Sequence, residues 1–324
     1  MRKKSNLIKN SKLTALFISI IITGTNLSLQ KRQEDYFQYE RKIRQSLETI
    51  DEHNHTIIAH RADSSFFPEN SIEAIRSAVD KDFIDYIEID INRTKDGEFV
   101  IHHDKDINGY VIKNNTFDDL SRVKENTPFS ISSVSLKQSL FAKEEGSLIL
   151  NRTKQFAGMH TSLSKLEDIV EYQKEKPFLI DLKVYCDPVT FAQDLALKTD
   201  LLCNPNNIYQ SFNHEVLQEL KSLRPDLNYS IIIRNNRDLE NLRNYYDHIT
   251  LRHNLATKEV IERELNDGKR LFVWTLNDFN DLNRVIENSN GNDQELGFIT
   301  KIPDALTVRV RELTENNDEH KKRN

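Results

Sequence analysis

The chain has few of the residues that mark specialised architectures. Two cysteines in 324 residues exclude a disulfide-built scaffold, and the spacing of Cys186 and Cys203 suits no metal site, so two free, buried thiols are expected. Eight glycines and seven prolines are too few for a collagenous or low-complexity chain. Charge of one sign is scarce as well. The 45 basic and 51 acidic residues are interspersed and sum to -6, which leaves no face for nucleic acid. Near the amino terminus there is no cysteine for lipid attachment and no clear small-x-small cleavage site.

That terminus carries Arg2, Lys3, Lys4, Lys9 and Lys12 ahead of the apolar run LTALFISIIITG. A basic flank followed by an apolar run is the layout of a secretory signal or a signal anchor, with a buried helix as the plain alternative. Spanning a bilayer takes about 20 apolar residues, a length reached here only by extending the run to Leu29. Residues 1–29 are therefore expected to form an anchor, uncleaved in preference to removed. The amino terminus would stay in the cytoplasm and the rest would lie outside, or be secreted if the segment is cleaved. Residues 30–55 carry Tyr36, Tyr39, Ile43, Leu47 and Ile50 at mostly helical spacing, which predicts an amphipathic stalk.

From residue 56 short apolar strands alternate with amphipathic stretches, the rhythm of parallel strands joined by crossover helices. The strands fall near TIIAHR, YIEIDI, FLIDLK, NIYQSF, NYSIII, HITLR, RLFVWTL and LGFIT. Helical patterns such as SIEAIRSAVDKD, HEVLQELKSL and FNDLNRVIENSN follow most of them. That rhythm predicts a TIM (β/α)8 barrel over 56–317. An Asn-, Ser-, Lys- and Thr-rich insertion after strand two, about 105–160, precedes a helix over 162–174. Residues 318–324 are expected to be a solvated, disordered tail.

In such a barrel the active site forms at the carboxyl ends of the strands. His60 and Arg61 end the first. Glu88 and Asp90, two residues apart, leave the second on one side, and Asp181 and Lys183 repeat that spacing on the third. Three carboxylates aimed at one region repel by roughly 4 kcal/mol per pair at about 4 Å and an effective dielectric of about 20. A hard cation, Mg²⁺ or Ca²⁺, removes that penalty and polarises a phosphoryl oxygen. His60 and His103 are then candidates for general base and general acid, and Arg61 for binding phosphate. His102 alternates with His103 and cannot face the same site. The other histidines, His253 among them, are expected to be structural.

These residues resemble the motifs of the glycerophosphodiester phosphodiesterase family, a TIM-barrel group related to phosphatidylinositol-specific phospholipases. The resemblance runs from Thr56 to about Val310 and is carried by HRADSSFFPENS at His60 to Ser71 and IEIDINRTKDGEFVIHHD at Ile87 to Asp104. LIDLK, QSFN, VWTLN and GFITKIP add weaker matches. It implies that His60 and His103 are the catalytic pair and that Glu88, Asp90 and Asp181 hold the metal. Arg61 and Lys183 would contact the phosphate, Trp274 would line the alcohol pocket, and Glu69 would orient Arg61.

The sequence departs from the family in three places. Ala62 replaces a glycine, a change expected to be tolerated unless the backbone needs positive φ. Asp181 replaces a longer glutamate, which would loosen the metal. Lys301 replaces an acid, which would alter the substrate pocket. The implied reaction is metal-dependent hydrolysis of a small or polymeric glycerophosphodiester to glycerol phosphate and an alcohol. Two alternatives stand beside it: a phospholipase-type enzyme that forms a cyclic phosphate, and a degenerate barrel that binds phosphoglycans without cleaving them.

Overall fold

The computed structural model of the chain describes residues 38, 41–48, 55–123 and 162–323. Two compact units divide it, Met1–Asp51 and Glu52–Asn324. In the first, residues 41–47 are helical. The anchor expected over 1–29 lies outside the described residues, as does most of the stalk. Among the described residues no helix is long and apolar enough to cross a membrane.

The second unit is built on β1 (Thr56–Ala59), β2 (Tyr86–Arg93), β3 (Phe99–Ile101), β6 (Phe178–Lys183), β7 (Ile208–Ser211), β8 (Asn228–Ile233), β9 (His248–Arg252), β10 (Arg270–Trp274) and β11 (Leu296–Thr300). A small hairpin, β4 (Asp106–Ile107) and β5 (Tyr110–Val111), stands apart from them. The main sheet runs β1-β11-β10-β9-β8-β7-β6-β2-β3, and β1 also pairs with β2, so the parallel strands close into the predicted barrel. Only β3 is antiparallel, folding back along the far end of β2.

Strand alternation sorts the side chains. Residues such as Ile57, Ile89, Ile180, Ile231 and Ile249 face the surrounding helices and join the main core. Ile58, Tyr86, Leu179, Ile208, Phe272 and Ile299 form a separate cluster inside the barrel. Two residues further along these strands come Glu88, Asp181, Gln210 and Trp274, which line the cavity at the barrel mouth. The period of two that makes the strands readable in sequence therefore also sets the layers of the site.

Gly297 belongs to that interior for a steric reason. A Cβ placed there would lie 2.3 Å from Cδ1 of Phe272 and 3.1 Å from Cδ1 of Ile58. Gly297→Ala is expected to destabilise the fold by roughly 1–3 kcal/mol, the usual cost of overpacking. A urea midpoint equal to that of the parent protein would contradict this packing.

Four expectations change. The helix predicted over 162–174 is instead two short 3-10 turns, Leu166–Ile169 and Tyr172–Lys174. Lys165 is held in an antiparallel bridge with Val100, which takes the start of this stretch out of any helix. The insertion is not wholly irregular. Its start forms the β4–β5 hairpin, and Ile107, Ile112 and Leu120 bury against Val100, while 124–161 lie outside the described residues. The last helix runs Pro303–Arg323, because buried Leu306 and Val310 start it on the core and its backbone continues through the expected tail. Cys186 and Cys203 are both free, but Cys203 is exposed and Cys186 only half-buried.

Candidate active site

Where β1 ends, the His60 amide donates to the carbonyl of Thr300 at 2.8 Å, which carries the β1–β11 pairing one residue past the strand. The chain then turns sharply, with Arg61 and Ala62 both left-handed at φ 57° and 61°. This is the positive φ that glycine would adopt without strain, so Ala62 occupies a more demanding position than its small size suggests. The turn is fixed from β2. Glu88 accepts the Arg61 amide through Oε2 at 2.7 Å and the Ala62 amide through its carbonyl at 2.8 Å. The following loop returns to the same place at Asn70, whose side chain both donates to Asp90 Oδ2 at 2.8 Å and accepts its amide at 3.1 Å.

Glu88, Asp90 and Asp181 are all buried, and one carboxylate oxygen from each lies within 4.8 Å of the other two. Asp90 and Asp181 are register partners across β2 and β6, so the shorter aspartate still reaches the group. Its Oδ2 accepts from Lys183 at 2.6 Å, and its Oδ1 is buried with no hydrogen-bond partner among the described residues. An orphaned buried carboxylate oxygen beside two others is the donor set a hard cation needs. The residues present fit a divalent metal, and Asp181 does not break the site.

The charges around them are unequal in effect. Burial, with Asp90 and Asp181 close by, pushes the Glu88 carboxyl well above the usual carboxylate range. Burial would raise Asp90 too, but Lys183, 3.0 Å away, and Arg61, 3.3 Å away, hold it well below that range. At Asp181 burial prevails over Lys183 and the carboxyl is raised. Burial, followed by Arg61 and Lys301, pushes the His60 imidazole well below its ordinary value. That ring is neutral at neutral pH, with Nε2 3.8 Å from Glu88 Oε2 and Nδ1 without a partner among the described residues.

His103 Nδ1 lies 2.7 Å from Asp104 Oδ1, which fixes the ring and leaves Nε2 as the nitrogen open to a reactant. His102 lies just past the end of β3, with Nε2 3.3 Å from the carbonyl of Asp106. Glu69 bridges two cations, accepting from Arg61 Nη1 at 2.5 Å and from Lys301 Nζ at 3.1 Å. The acid-to-base change at Lys301 is thus matched by an acid on a neighbouring loop, and Lys301 itself lines the pocket.

The pocket has a volume of about 400 Å³ and brings together His60, Arg61, Glu88, His103, Asp181, Lys183 and Trp274. Asp90 lies directly behind them, in contact with Lys183 and Arg61. Trp274 meets Phe212 edge to face at 5.6 Å, and its buried Nε1 has no partner among the described residues. Sequence reasoning did not single out Gln210, Phe212, Thr250, Arg234, Arg252 or Asn277 as lining residues. It also treated His253 as structural, whereas His253 lines the pocket while pairing with Asp281 at 3.1 Å. The missed signal was the one that located Lys183: a polar residue where an apolar strand ends. Arg234 follows NYSIII and Arg252 closes HITLR in the same way.

The family model described as the glycerophosphoryl diester phosphodiesterase family matches residues 60–290, from the first site histidine to just before β11. The chain belongs to that family. As a family member it is a phosphodiesterase, and its relatives match almost end to end. A glycerophosphodiester phosphodiesterase of Caldanaerobacter subterraneus is 26% identical over 275 residues, covering 79% of this chain and 97% of that protein. YhdW of Bacillus subtilis is 26% identical over 264 residues, covering 77% and 96%. Among solved structures, the fold is similar to that of an Oleispira antarctica phosphodiesterase in complex with sn-glycerol-3-phosphate, at TM-score 0.61 and 17% identity, covering 79% of this chain and 96% of that one.

Proposed function

We propose that this family member hydrolyses glycerophosphodiesters to glycerol phosphate and an alcohol, with Mg²⁺ or Ca²⁺ held by Glu88, Asp90 and Asp181. The observation that carries the reading is the meeting of these three buried carboxylates with two histidines and two cations in one pocket. When bound, the cation would polarise a phosphoryl oxygen and offset the charge that develops there.

The remaining steps belong to the chain's own side chains. Arg61 and Lys183 bind the phosphate oxygens, and Glu69 holds the Arg61 fork in place. His60, neutral through burial, takes the proton of the attacking water as its oxygen forms the new bond to phosphorus. His103, oriented by Asp104, returns a proton to the alcohol oxygen as the P–O bond breaks. Trp274 packs against the glycerol or alcohol. The basic, apolar amino terminus supports a location outside the membrane, either anchored or secreted, where small diesters and glycerol phosphate polymers are both accessible.

The test is a diester panel assayed after chelation and again after adding back each metal. Turnover is expected to vanish in chelator and return with Mg²⁺ or Ca²⁺, with glycerol phosphate as product. Turnover indifferent to chelator would refute the metal role, and persistent cyclic glycerol phosphate would assign the reaction to the cyclising type instead.

A further inference from the structure

The pocket wall facing the carboxylates carries charge that the proposed reaction does not use. Ile233 of β8 pairs with Leu251 of β9, so the next residues, Arg234 and Arg252, leave neighbouring strands side by side, about 4.8 Å apart at the backbone. Both line the pocket. No carboxylate pairs with either among the described residues, in contrast to Arg61 beside Glu69. The Arg234 guanidinium lies on the face of Phe212, 3.6 Å from the ring centroid, which holds the planar fork while leaving its N–H edges open. In the closed strand order β8 stands across the barrel from β1 and β9 across from β2. Two like charges thus face His60, Arg61 and Glu88 from the opposite rim.

We infer that Arg234 and Arg252 form a second anion subsite that binds a phosphate carried by the leaving alcohol, making phosphorylated alcohols the favoured leaving groups. The inference rests on the reading above, in which the scissile phosphate sits at Arg61, Lys183 and the carboxylates. A diester held there extends its substituent across the mouth. Two like charges at neighbouring strand ends, both exposed and neither paired with an acid among the described residues, favour an anion between them, and a phosphate offers oxygens for bidentate contact. A neutral or cationic alcohol cannot do this. Two sources share the chemistry: a small diester bearing a terminal phosphate, and consecutive phosphates along a glycerol phosphate polymer.

The test compares kcat/KM of the full chain with divalent metal on glycerophosphocholine, glycerophosphoglycerol, glycerophosphoglycerol phosphate and a short glycerol phosphate oligomer. The phosphorylated substrates are expected to exceed glycerophosphoglycerol by at least about tenfold, the worth of a hydrogen bond to a charged group. In Arg234→Ala/Arg252→Ala that ratio should fall toward one, chiefly through KM. The ratio does not depend on the folded fraction, so a partly unfolded variant still gives a reading. Arg234→Lys should retain part of the preference, because it keeps the charge and loses the fork. An oligomer that outruns the small phosphorylated diester assigns the source to a polymer, and the reverse order assigns it to the small molecule. Equal kcat/KM across the panel, or a preference that survives in the double variant, overturns the subsite while leaving the hydrolase reading standing. No turnover of any diester by the parent protein overturns both.

Discussion

Glu88→Gln is expected to lower kcat/KM by about 10³-fold or more and, at the same time, to raise the melting temperature of the metal-free protein at neutral pH. The loss follows because removing a ligand charge forfeits several kcal/mol of transition-state stabilisation, and each 1.36 kcal/mol is a factor of ten. The gain in stability follows from the same carboxylate. Burial, with Asp90 and Asp181 adding to it, raises its folded pKa well above the usual carboxylate range. The folded state therefore binds this proton more tightly than the unfolded chain does, and stability falls as pH rises from about 4.3 through the folded value.

Glutamine keeps an oxygen for the Arg61 amide and carries no charge to desolvate. The pH-dependent loss should be shallower in the variant, and added Mg²⁺ or Ca²⁺ should stabilise the parent protein more than the variant. Thermal denaturation in chelator between mild acid and neutrality, beside the activity measurement, reads both effects. Activity within tenfold of the parent would remove Glu88 from the site.

Substitution of the histidines should separate their proposed roles. His60→Ala and His103→Ala are each expected to lose about 10²- to 10⁴-fold in kcat on a glycerophosphodiester with an ordinary alcohol. On a p-nitrophenyl phosphodiester the leaving group departs without a proton, so the His103→Ala deficit should shrink greatly while that of His60→Ala persists. The reverse pattern would exchange acid and base, and two fully active variants would dismiss the pair. Of the two, His60 has the burial and flanking cations that keep an imidazole neutral, and His103 has its Nδ1 set by an adjacent carboxylate.

Much of this arrangement is legible in the sequence because the barrel strands are short, apolar and bounded by polar residues. FLIDLK, NYSIII, HITLR and LGFIT coincide with β6, β8, β9 and β11. Alternation alone then places Glu88 with Asp90, and Asp181 with Lys183, on a shared side of their strands. What failed did so where local pattern was overruled by contacts distant in sequence. Residues 162–174 read as helix, but pairing with Val100 takes Lys165 out of it. The start of the insertion reads as irregular, since its few apolar residues show their common face only when they close over Val100. Ala62 reads as a mild replacement, because nothing in the sequence shows that two successive residues must turn left-handed to bring their amides to Glu88.

The sequence by itself determined the barrel, which rests on strand periodicity, and the family and the identity of the residues proposed for the chemistry, which rest on motifs at strand ends that resemble those of the family. Tertiary structure alone decided how those residues act on one another. Asp181 completes the carboxylate group because register sets it opposite Asp90. Lys301 is tolerated because a loop carries Glu69 to it. Arg234 and Arg252 become a single feature only when barrel closure brings β8 and β9 across from the carboxylates. Periodicity is a local property that a chain displays along its length, whereas charge compensation depends on distances that exist only once the barrel has closed.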